Sequence, residues 1–244
     1  MNIIREIGDF LFPRFCVLCD KRLSVSEHHL CATCYMYLPR TRQVEKEHGR
    51  LERILWGMQD MGNGHRVIER AATFIFYTSN SRLLLHKVKY EGMLSLGIQL
   101  GEWMAKEMMD ASHHPSIFDG VDVIVPLPLH RRKQMSRGYN QCDYIAKGVS
   151  KVTGIGVDTQ SVKRMHHTPS QTTLDHEARR KNVAGAFAVV HPERLEGKHI
   201  LLLDDVITTG STIMECANAI LKLPGTKVTI LAVAHADKNP VPES

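Results

Sequence analysis

Two adjacent carboxylates, Asp204 and Asp205, directly follow a run of four apolar residues at 200–203. A continuous apolar run that ends in a turn signal is typical of a strand buried on both faces. Because charged residues seldom end a buried strand without a partner, we expect these carboxylates to have a ligand. Sugar hydroxyls or a divalent cation are the groups that suit them.

A turn rich in hydroxyls follows after two apolar residues, and it consists of Thr208, Thr209, Gly210, Ser211 and Thr212. The periodicity of residues 213–223 predicts a helix that begins at this turn. Backbone N–H groups at a helix start, together with several hydroxyls, bind phosphate. A Walker A loop is a poor match, since no lysine follows the glycine at the required spacing. The strand, the carboxylates and the turn therefore predict a site for a phosphorylated sugar.

Four of the six cysteines form two Cys-x2-Cys pairs near the N-terminus, and they are Cys16, Cys19, Cys31 and Cys34. Two such pairs can place four thiolates tetrahedrally around one zinc ion, and a module this small gains its folding energy from the metal. We predict a structural Zn²⁺ module with an N-terminal helix at residues 1–42. Five basic residues lie next to the cysteines in the sequence, and they either contact nucleic acid or form a solvated surface. They are Arg14, Lys21, Arg22, Arg40 and Arg42.

The length of 244 residues and the hydrophobic content of 43% allow one full α/β domain and a small module beside it. The net charge of +5 is compatible with polyphosphate ligands or nucleic acid and requires neither. We expect no membrane insertion, since there is no apolar run of about 20 residues. The N-terminus lacks the cleavage site of a secretory signal, so we expect a cytoplasmic protein with reduced thiols.

Apolar and periodic segments divide the rest of the chain. Strands are predicted at 71–77, 121–129, 185–190 and 227–235, and helices at 81–90, 94–109 and 144–152. Residues 43–70 are predicted to be a linker with a helical middle around residues 51–58. Residues 71–236 are predicted to be the main domain, and residues 237–244 a disordered tail.

Two basic segments adjoin predicted strands. The first follows residues 121–129 and carries Arg131, Arg132, Lys133 and Arg137. Ligands of doubly wound sheets bind at the carboxyl ends of the strands, so these cations either contact a ligand or form a solvated loop. The second segment, residues 162–182, carries Lys163 and Arg164 and is almost free of apolar residues. It is predicted to be a long loop, with a short helix at 174–181, that covers the site.

The strand-and-turn motif resembles the 5-phosphoribosyl 1-diphosphate (PRPP) motif of type I phosphoribosyltransferases. The ordered set of motifs resembles the ComF family of phosphoribosyltransferase-like proteins, which occur in bacterial competence operons. Besides the cysteines, the matching blocks are K-x-K-Y-x-G at 87–92, V-P-L-P at 125–128, R-G-Y-N-Q at 137–141, R-x6-Q-T-x-L at 164–174 and R-x2-N-V at 179–183.

This resemblance implies an α/β fold, a twisted and mostly parallel sheet flanked by helices, with a small N-terminal zinc ribbon. It also implies that Asp204 and Asp205 hold the ribose 2′- and 3′-hydroxyls, that residues 208–212 surround the 5′-phosphate, and that Mg²⁺ accompanies PRPP. Cations from the two basic segments would then contact the pyrophosphate, with Lys163 and Arg164 as the first choice for a catalytic loop.

Two classes of function remain open. The resemblance favours a PRPP-binding protein that handles incoming single-stranded DNA during natural transformation, alongside a helicase-like partner. The alternative is an active phosphoribosyltransferase, a pentosyltransferase of nucleotide metabolism. No residue identifies its acceptor, and the chain lacks the N-terminal cysteine and glutaminase domain that glutamine chemistry requires.

Overall fold

Five strands form the central sheet of the computed structural model, which describes residues 13–41, 50–57, 68–109, 116–165 and 185–236. They are β1 (Ile68–Phe76), β2 (Val123–Pro126), β3 (Gly156–Val157), β6 (His199–Ile207) and β7 (Lys227–His235). The order across the sheet is β1-β7-β6-β2-β3, and each neighbouring pair is parallel. Strands β4 (Val162–Arg164) and β5 (Phe187–Val189) form a separate antiparallel pair.

Helices cover both faces of this sheet. The described helices are α1 (Ala32–Met36), α2 (Arg50–Gly57), α3 (Ser79–Tyr90), α4 (Leu94–Met109), α5 (Arg131–Arg137), α6 (Gln141–Thr153) and α7 (Ser211–Ile220), with a 3-10 turn at Pro192–Arg194. The prediction of a mostly parallel sheet flanked by helices is therefore confirmed. None of the helices in the described ranges is long and apolar enough to cross a membrane.

The central strand β6 is buried on both faces because its side chains alternate between two cores. Leu201 and Leu203 pack with α3, α4 and α6, whereas Ile200 and Leu202 pack with α2 and α7. All four side chains have no exposed surface. This double burial explains the uninterrupted apolar run in the sequence, and it fixes the carboxyl end of β6 at the sheet edge.

The N-terminal cysteine module packs on the β1 side of the sheet. Backbone hydrogen bonds join it to the strand, from Phe76 N to Pro39 O (2.8 Å) and from Thr41 N to Phe74 O (3.1 Å). The Tyr35 ring lies 4.8 Å from the Trp103 ring of α4, centre to centre. Cys16, Leu23 and Leu30 belong to the same hydrophobic core as α4, so module and sheet share one packed interior.

Two segments predicted as irregular are regular in the structure. Residues 131–137, expected as a basic loop, form helix α5, which ends at Gly138 with a φ of 84°. Lys163 and Arg164 lie on β4, not on a loop, because Val162–Arg164 pairs with β5. The rest of the predicted covering loop, residues 166–182, lies outside the described residues, as do residues 1–12, where the N-terminal helix was predicted, and the predicted tail at 237–244.

The helix expected in the middle of the predicted linker is present. This is helix α2, and its Leu51 and Leu55 are buried against the sheet. Strand β1 begins at Ile68, three residues before the predicted start of the main domain.

Candidate functional site

A cleft of about 300 Å³ lies at the carboxyl edge of the sheet. Its walls come from the end of β6 with the turn at 208–212, the residues after β2, the last turn of α3, and helix α5. Neighbouring parallel strands end at the same sheet edge, which is where ligands bind in open α/β sheets. The sheet topology therefore brings the predicted phosphate turn, the carboxylates and one basic segment around one space.

Asp205 is held by two side chains from other elements. Its Oδ2 atom lies 2.7 Å from Lys89 Nζ of α3 and accepts a hydrogen bond from Gln141 Nε2 of α6 at 3.0 Å. The Asp205 side chain is only 5% exposed. Burial opposes the charge on Lys89, but the attraction of Asp205 outweighs it, so the pKa of Lys89 is raised. The contacts place the Asp205 carboxylate between a lysine and an amide donor at the floor of the cleft.

Asp204 lies beside this pair and keeps some exposure to the cleft. Its Oδ1 atom accepts hydrogen bonds from Asp205 N (2.8 Å) and from Cys142 Sγ (3.6 Å). Burial, and then the negative charge of Asp205, raise the pKa of Asp204 to about 7. The two carboxylates thus differ in their contacts: Asp205 pairs with Lys89, whereas Asp204 accepts hydrogen bonds from the Cys142 thiol and the Asp205 backbone.

The turn at 208–212 presents the start of α7 to the same cleft. Gly210 has a φ of 80°, a left-handed conformation that favours glycine, and it is the N-cap residue of the helix. Gly210 makes no side-chain cap, and Ser211 N donates a long hydrogen bond of 3.5 Å to Thr209 Oγ1, so the start of the helix presents N–H groups and hydroxyls together. Thr209 Oγ1 and Ser211 Oγ lie 3.1 Å apart, so both hydroxyls are positioned at this helix start.

Only some of the predicted cations line the cleft. Lys133 and Arg137 of α5 do so, and Arg164 joins them from the end of β4, where a bridge between Arg164 and His130 brings β4 to the start of α5. Burial, followed by the nearby charges of Arg164 and Arg137, lowers the pKa of Lys133. In the described part of the chain, Arg131, Arg132 and Lys163 lie outside the lining.

Three cleft residues were missed by the sequence prediction of the site. Lys89 and Gln141 occur in the K-x-K-Y-x-G and R-G-Y-N-Q motifs, but nothing in those motifs predicts a contact with Asp205. Cys142 has the signal of a small buried hydrophobe, and it is 1% exposed. Its burial in the hydrophobic core confirms that interpretation, and its thiol in addition lies against Asp204.

The four N-terminal cysteines lie together, with their Sγ atoms all within 4.8 Å of one another. A tetrahedral zinc site with Zn–S bonds of about 2.3 Å requires S–S distances of about 3.8 Å. The Cys19 and Cys31 Sγ atoms are 3.7 Å apart, so this pair already has that spacing. The donor set fits Zn²⁺, and Cys31 also begins α1 by accepting a hydrogen bond from Cys34 N at 3.4 Å.

Two arginines assigned to a basic surface around the cysteines have internal contacts. Arg40 is 7% exposed, and its Nε lies 3.3 Å from Glu107 Oε2 of α4. Arg14 donates to the backbone carbonyl of Glu27 at 2.8 Å. Arg14 thus joins two parts of the module, and Arg40 joins the module to α4. These contacts reduce the basic surface that nucleic acid could contact.

Comparisons with known proteins give similarity along nearly the whole chain. DNA utilization protein YhgH of Salmonella typhi is 26% identical over 215 residues, which cover 86% of this chain and 92% of that protein. The YhgH protein of Salmonella typhimurium is 30% identical over 154 residues, covering 63% of this chain and 66% of that protein. Competence protein F of Haemophilus influenzae is 26% identical over 230 residues, covering 91% of this chain and 96% of that protein. No family model matches.

Solved structures were compared as well. An adenine phosphoribosyltransferase aligns with a TM-score of 0.37 and 15% identity, covering 63% of this chain and 75% of that one. An allosteric regulatory enzyme of purine biosynthesis aligns with a TM-score of 0.37 and 18% identity, covering 57% of this chain and 25% of that one. Given its full-length relatives, its parallel sheet and its N-terminal cysteine cluster, the chain belongs to the ComF family of phosphoribosyltransferase-like proteins.

Proposed function

We propose that the cleft binds PRPP together with Mg²⁺, and that the protein acts in the cytoplasm in the use of incoming single-stranded DNA. The observation that supports the PRPP site is that the two carboxylates and the turn at 208–212 line the same cleft. The DNA role is supported by the relatives, which are named DNA utilization protein and Competence protein F. The net charge of +5 is compatible with it.

Each part of PRPP has matching groups in the cleft. Asp204 and Asp205 would accept hydrogen bonds from the ribose hydroxyls, and the N–H groups and hydroxyls of residues 208–212 would bind the 5′-phosphate. Lys133, Arg137 and Arg164 would contact the diphosphate. Arg131, Arg132 and Lys163 have no direct role in this assignment, and through their positive charge they would contribute to attracting an anionic ligand.

Magnesium would enter with its ligand. Mg²⁺ prefers oxygen donors and keeps several waters, so one or two carboxylates and the phosphate oxygens are sufficient to bind it. Asp204 would be the carboxylate that binds the ion, because Asp205 already forms an ion pair with Lys89. The ion would neutralise phosphate charge. In the N-terminal module, the four cysteines would hold a structural Zn²⁺.

Calorimetric titration of PRPP in the presence of Mg²⁺, with and without single-stranded DNA, tests this proposal. We expect saturable binding that is lost in the double variant Asp204→Asn with Asp205→Asn. The isosteric amides keep the size of the side chains but remove their charge and change their hydrogen-bonding capacity. Absence of binding by the wild-type protein would refute the PRPP site, whereas PRPP binding without DNA binding would refute only the DNA role.

A second candidate is an active phosphoribosyltransferase. It is favoured by the three cations that line the cleft, because a departing pyrophosphate requires positive charge. In that reaction the bond between the anomeric carbon and the pyrophosphate oxygen breaks as an acceptor nucleophile attacks the same carbon. A pyrophosphate-release assay with a panel of bases and amines tests this candidate. Release above the acceptor-free rate, lost in the double variant, would support it, and PRPP binding without release would exclude transfer to those acceptors.

A further inference from the structure

Three planar side chains continue from the cleft wall onto the surface of the molecule. Tyr90 and Arg137 line the cleft, with the Arg137 guanidinium carbon 5.1 Å from the centre of the Tyr90 ring. His86 lies one turn earlier on α3, and its ring centre is 4.8 Å from that of Tyr90. Residues four apart share one helix face, so α3 positions His86 and Tyr90 as neighbours. We call His86, Tyr90 and Arg137 the planar shelf.

The shelf is open to a ligand. Tyr90 is 66% exposed although it is a large aromatic residue at the end of a packed helix. Its ring is tilted by 43° relative to the His86 ring, so these two rings do not form a parallel stack. A planar ligand therefore has access to the ring.

Arg137, by contrast, is held in place. It donates a hydrogen bond to Gln141 Oε1, and Gln141 in turn donates to Asp205 at the cleft floor. The chain of contacts links the shelf to the carboxylates, so a ligand on the shelf lies next to the proposed PRPP site.

Three other tyrosines, Tyr35, Tyr37 and Tyr139, are less suitable for base stacking. Tyr35 packs against Trp103 and Arg40, and Tyr139 donates its hydroxyl hydrogen to Val88 O at 2.7 Å and packs against Tyr144. Tyr37 is 80% exposed on the cysteine module and does not line the cleft described here. Tyr90 alone among these four combines exposure with a place on the cleft wall.

The charge around the shelf favours a polyanion. Lys133 lines the same cleft, and Arg131 and Arg132 are exposed on α5. The nearby acid, Glu91, is already paired with Lys87 at 2.8 Å and lies 3.6 Å from His86. Stacking platforms flanked by cations are the means by which proteins bind single-stranded nucleic acid without reading its sequence.

We propose that the planar shelf stacks one or two bases of single-stranded DNA, while the cations of α5 contact the adjoining phosphates. This inference rests on the proposed DNA role and assigns it a surface on the main domain rather than on the cysteine module. It requires no covalent step.

Fluorescence of an oligonucleotide that contains 2-aminopurine provides the test, because stacking on a tyrosine changes the emission of that base. In full-length protein at fixed salt, we expect Tyr90→Leu to weaken binding about fivefold to a hundredfold and to abolish the emission change. Tyr90→Phe keeps the aromatic ring, so it should retain both the DNA affinity and the emission change. Tyr37→Leu removes a tyrosine elsewhere that is even more exposed, and this variant should match the wild type.

Each outcome decides the inference. Normal DNA binding by Tyr90→Leu, or a loss confined to Tyr37→Leu, would overturn the shelf while leaving the proposed DNA role intact. Absence of DNA binding by the wild-type protein would overturn both, and PRPP titration of the same sample would show whether the nucleotide site survives. Because the leucine variants leave the protein charge unchanged, the salt dependence of any remaining binding should be unaltered. Arg137→Gln should reduce the slope of log affinity against log salt concentration by about one.

Discussion

Lys89 Nζ lies 2.7 Å from Asp205 Oδ2, and this ion pair joins the last turn of α3 to the carboxyl end of β6. Both side chains are largely buried, with exposures of 23% and 5%. The contact supplies a countercharge to a carboxylate that would otherwise be costly at the cleft floor. Asp204 lies beside this pair, and burial followed by the negative charge of Asp205 raises its pKa.

Replacing this lysine should affect both stability and binding. Lys89→Met leaves Asp205 buried without its countercharge, so we expect a loss of about 1–3 kcal/mol in the free energy of unfolding. PRPP affinity should fall about tenfold or more, because the variant cleft is more negative towards an anionic ligand. Urea denaturation and calorimetry measure the two effects.

The matched control is Lys87→Met on the same helix. Lys87 pairs with the exposed Glu91, and such surface pairs contribute little to stability. If the two methionine variants behave alike, the Lys89–Asp205 contact has no special role.

The raised pKa of Asp204 predicts a pH dependence of stability. A carboxyl group with a pKa of about 7 in the folded protein, against about 3.9 when unfolded, holds its proton more tightly in the folded state. The unfolded chain then binds fewer protons between about pH 4 and pH 7, so the stability from this group falls as pH rises through that window. Asp204→Asn should remove this fall, which shows as a growing advantage of the variant from pH 4.5 to 7.5 in urea denaturation. An advantage that stays constant with pH would show that the pKa of Asp204 is ordinary.

Two neighbouring residues of β4 should differ in their effect on ligand binding. Arg164 lines the cleft, whereas Lys163 is exposed outside its lining. We therefore expect Arg164→Ala to lose about 1.5–3 kcal/mol of PRPP binding free energy, typical of a hydrogen bond to a charged group. Lys163→Ala should change it little. Calorimetry at one salt concentration makes the comparison, and an equal loss in both variants would indicate a long-range charge effect instead of a contact.

Removal of zinc should destabilise the main domain as well as the cysteine module. The module shares a core with α4 through the Tyr35 and Trp103 rings, so its unfolding exposes apolar surface on the main domain. We expect one Zn²⁺ per chain by elemental analysis, and loss of the metal with a lower melting temperature in Cys34→Ser. Tryptophan fluorescence should report the change near Trp103. Cys216→Ser, at a buried cysteine outside the cluster, should keep its zinc. A metal-free wild-type protein would contradict the assignment.

Helices α4 and α6 approach closely at two glycines. A Cβ atom at Gly101 would overlap the backbone carbonyl of Ile145, and one at Gly148 would overlap that of Ile98. Because neither carbonyl can move without its helix, Gly101→Ala or Gly148→Ala should destabilise the fold by about 1–3 kcal/mol. Gly57→Ala, where a Cβ would contact nothing within 4 Å, is the control. Unchanged urea midpoints in all three variants would show that the helices can separate at little cost.

The sequence by itself determined the features that depend on local patterns. The apolar run at 200–203 predicted a strand buried on both faces, and β6 has that burial because its alternate side chains meet two cores. Helix α4 and strand β7 have the predicted bounds. The two cysteine pairs also predicted a cluster, because four ligands at short spacing within one small module need no distant element to bring them together.

Tertiary structure decided which charged residues meet. The sequence does not distinguish among the four cations of the first basic segment, which are Arg131, Arg132, Lys133 and Arg137. Helix α5 places only Lys133 and Arg137 in the cleft lining, because side chains of a helix point in different directions around its axis. Likewise, the pairing of β4 with β5 places Arg164 in the cleft and Lys163 outside it. Lys89, Gln141 and Cys142 reach the two aspartates only because α3 and α6 pack beside β6, and contacts between residues so far apart in the chain leave no local signal in the sequence.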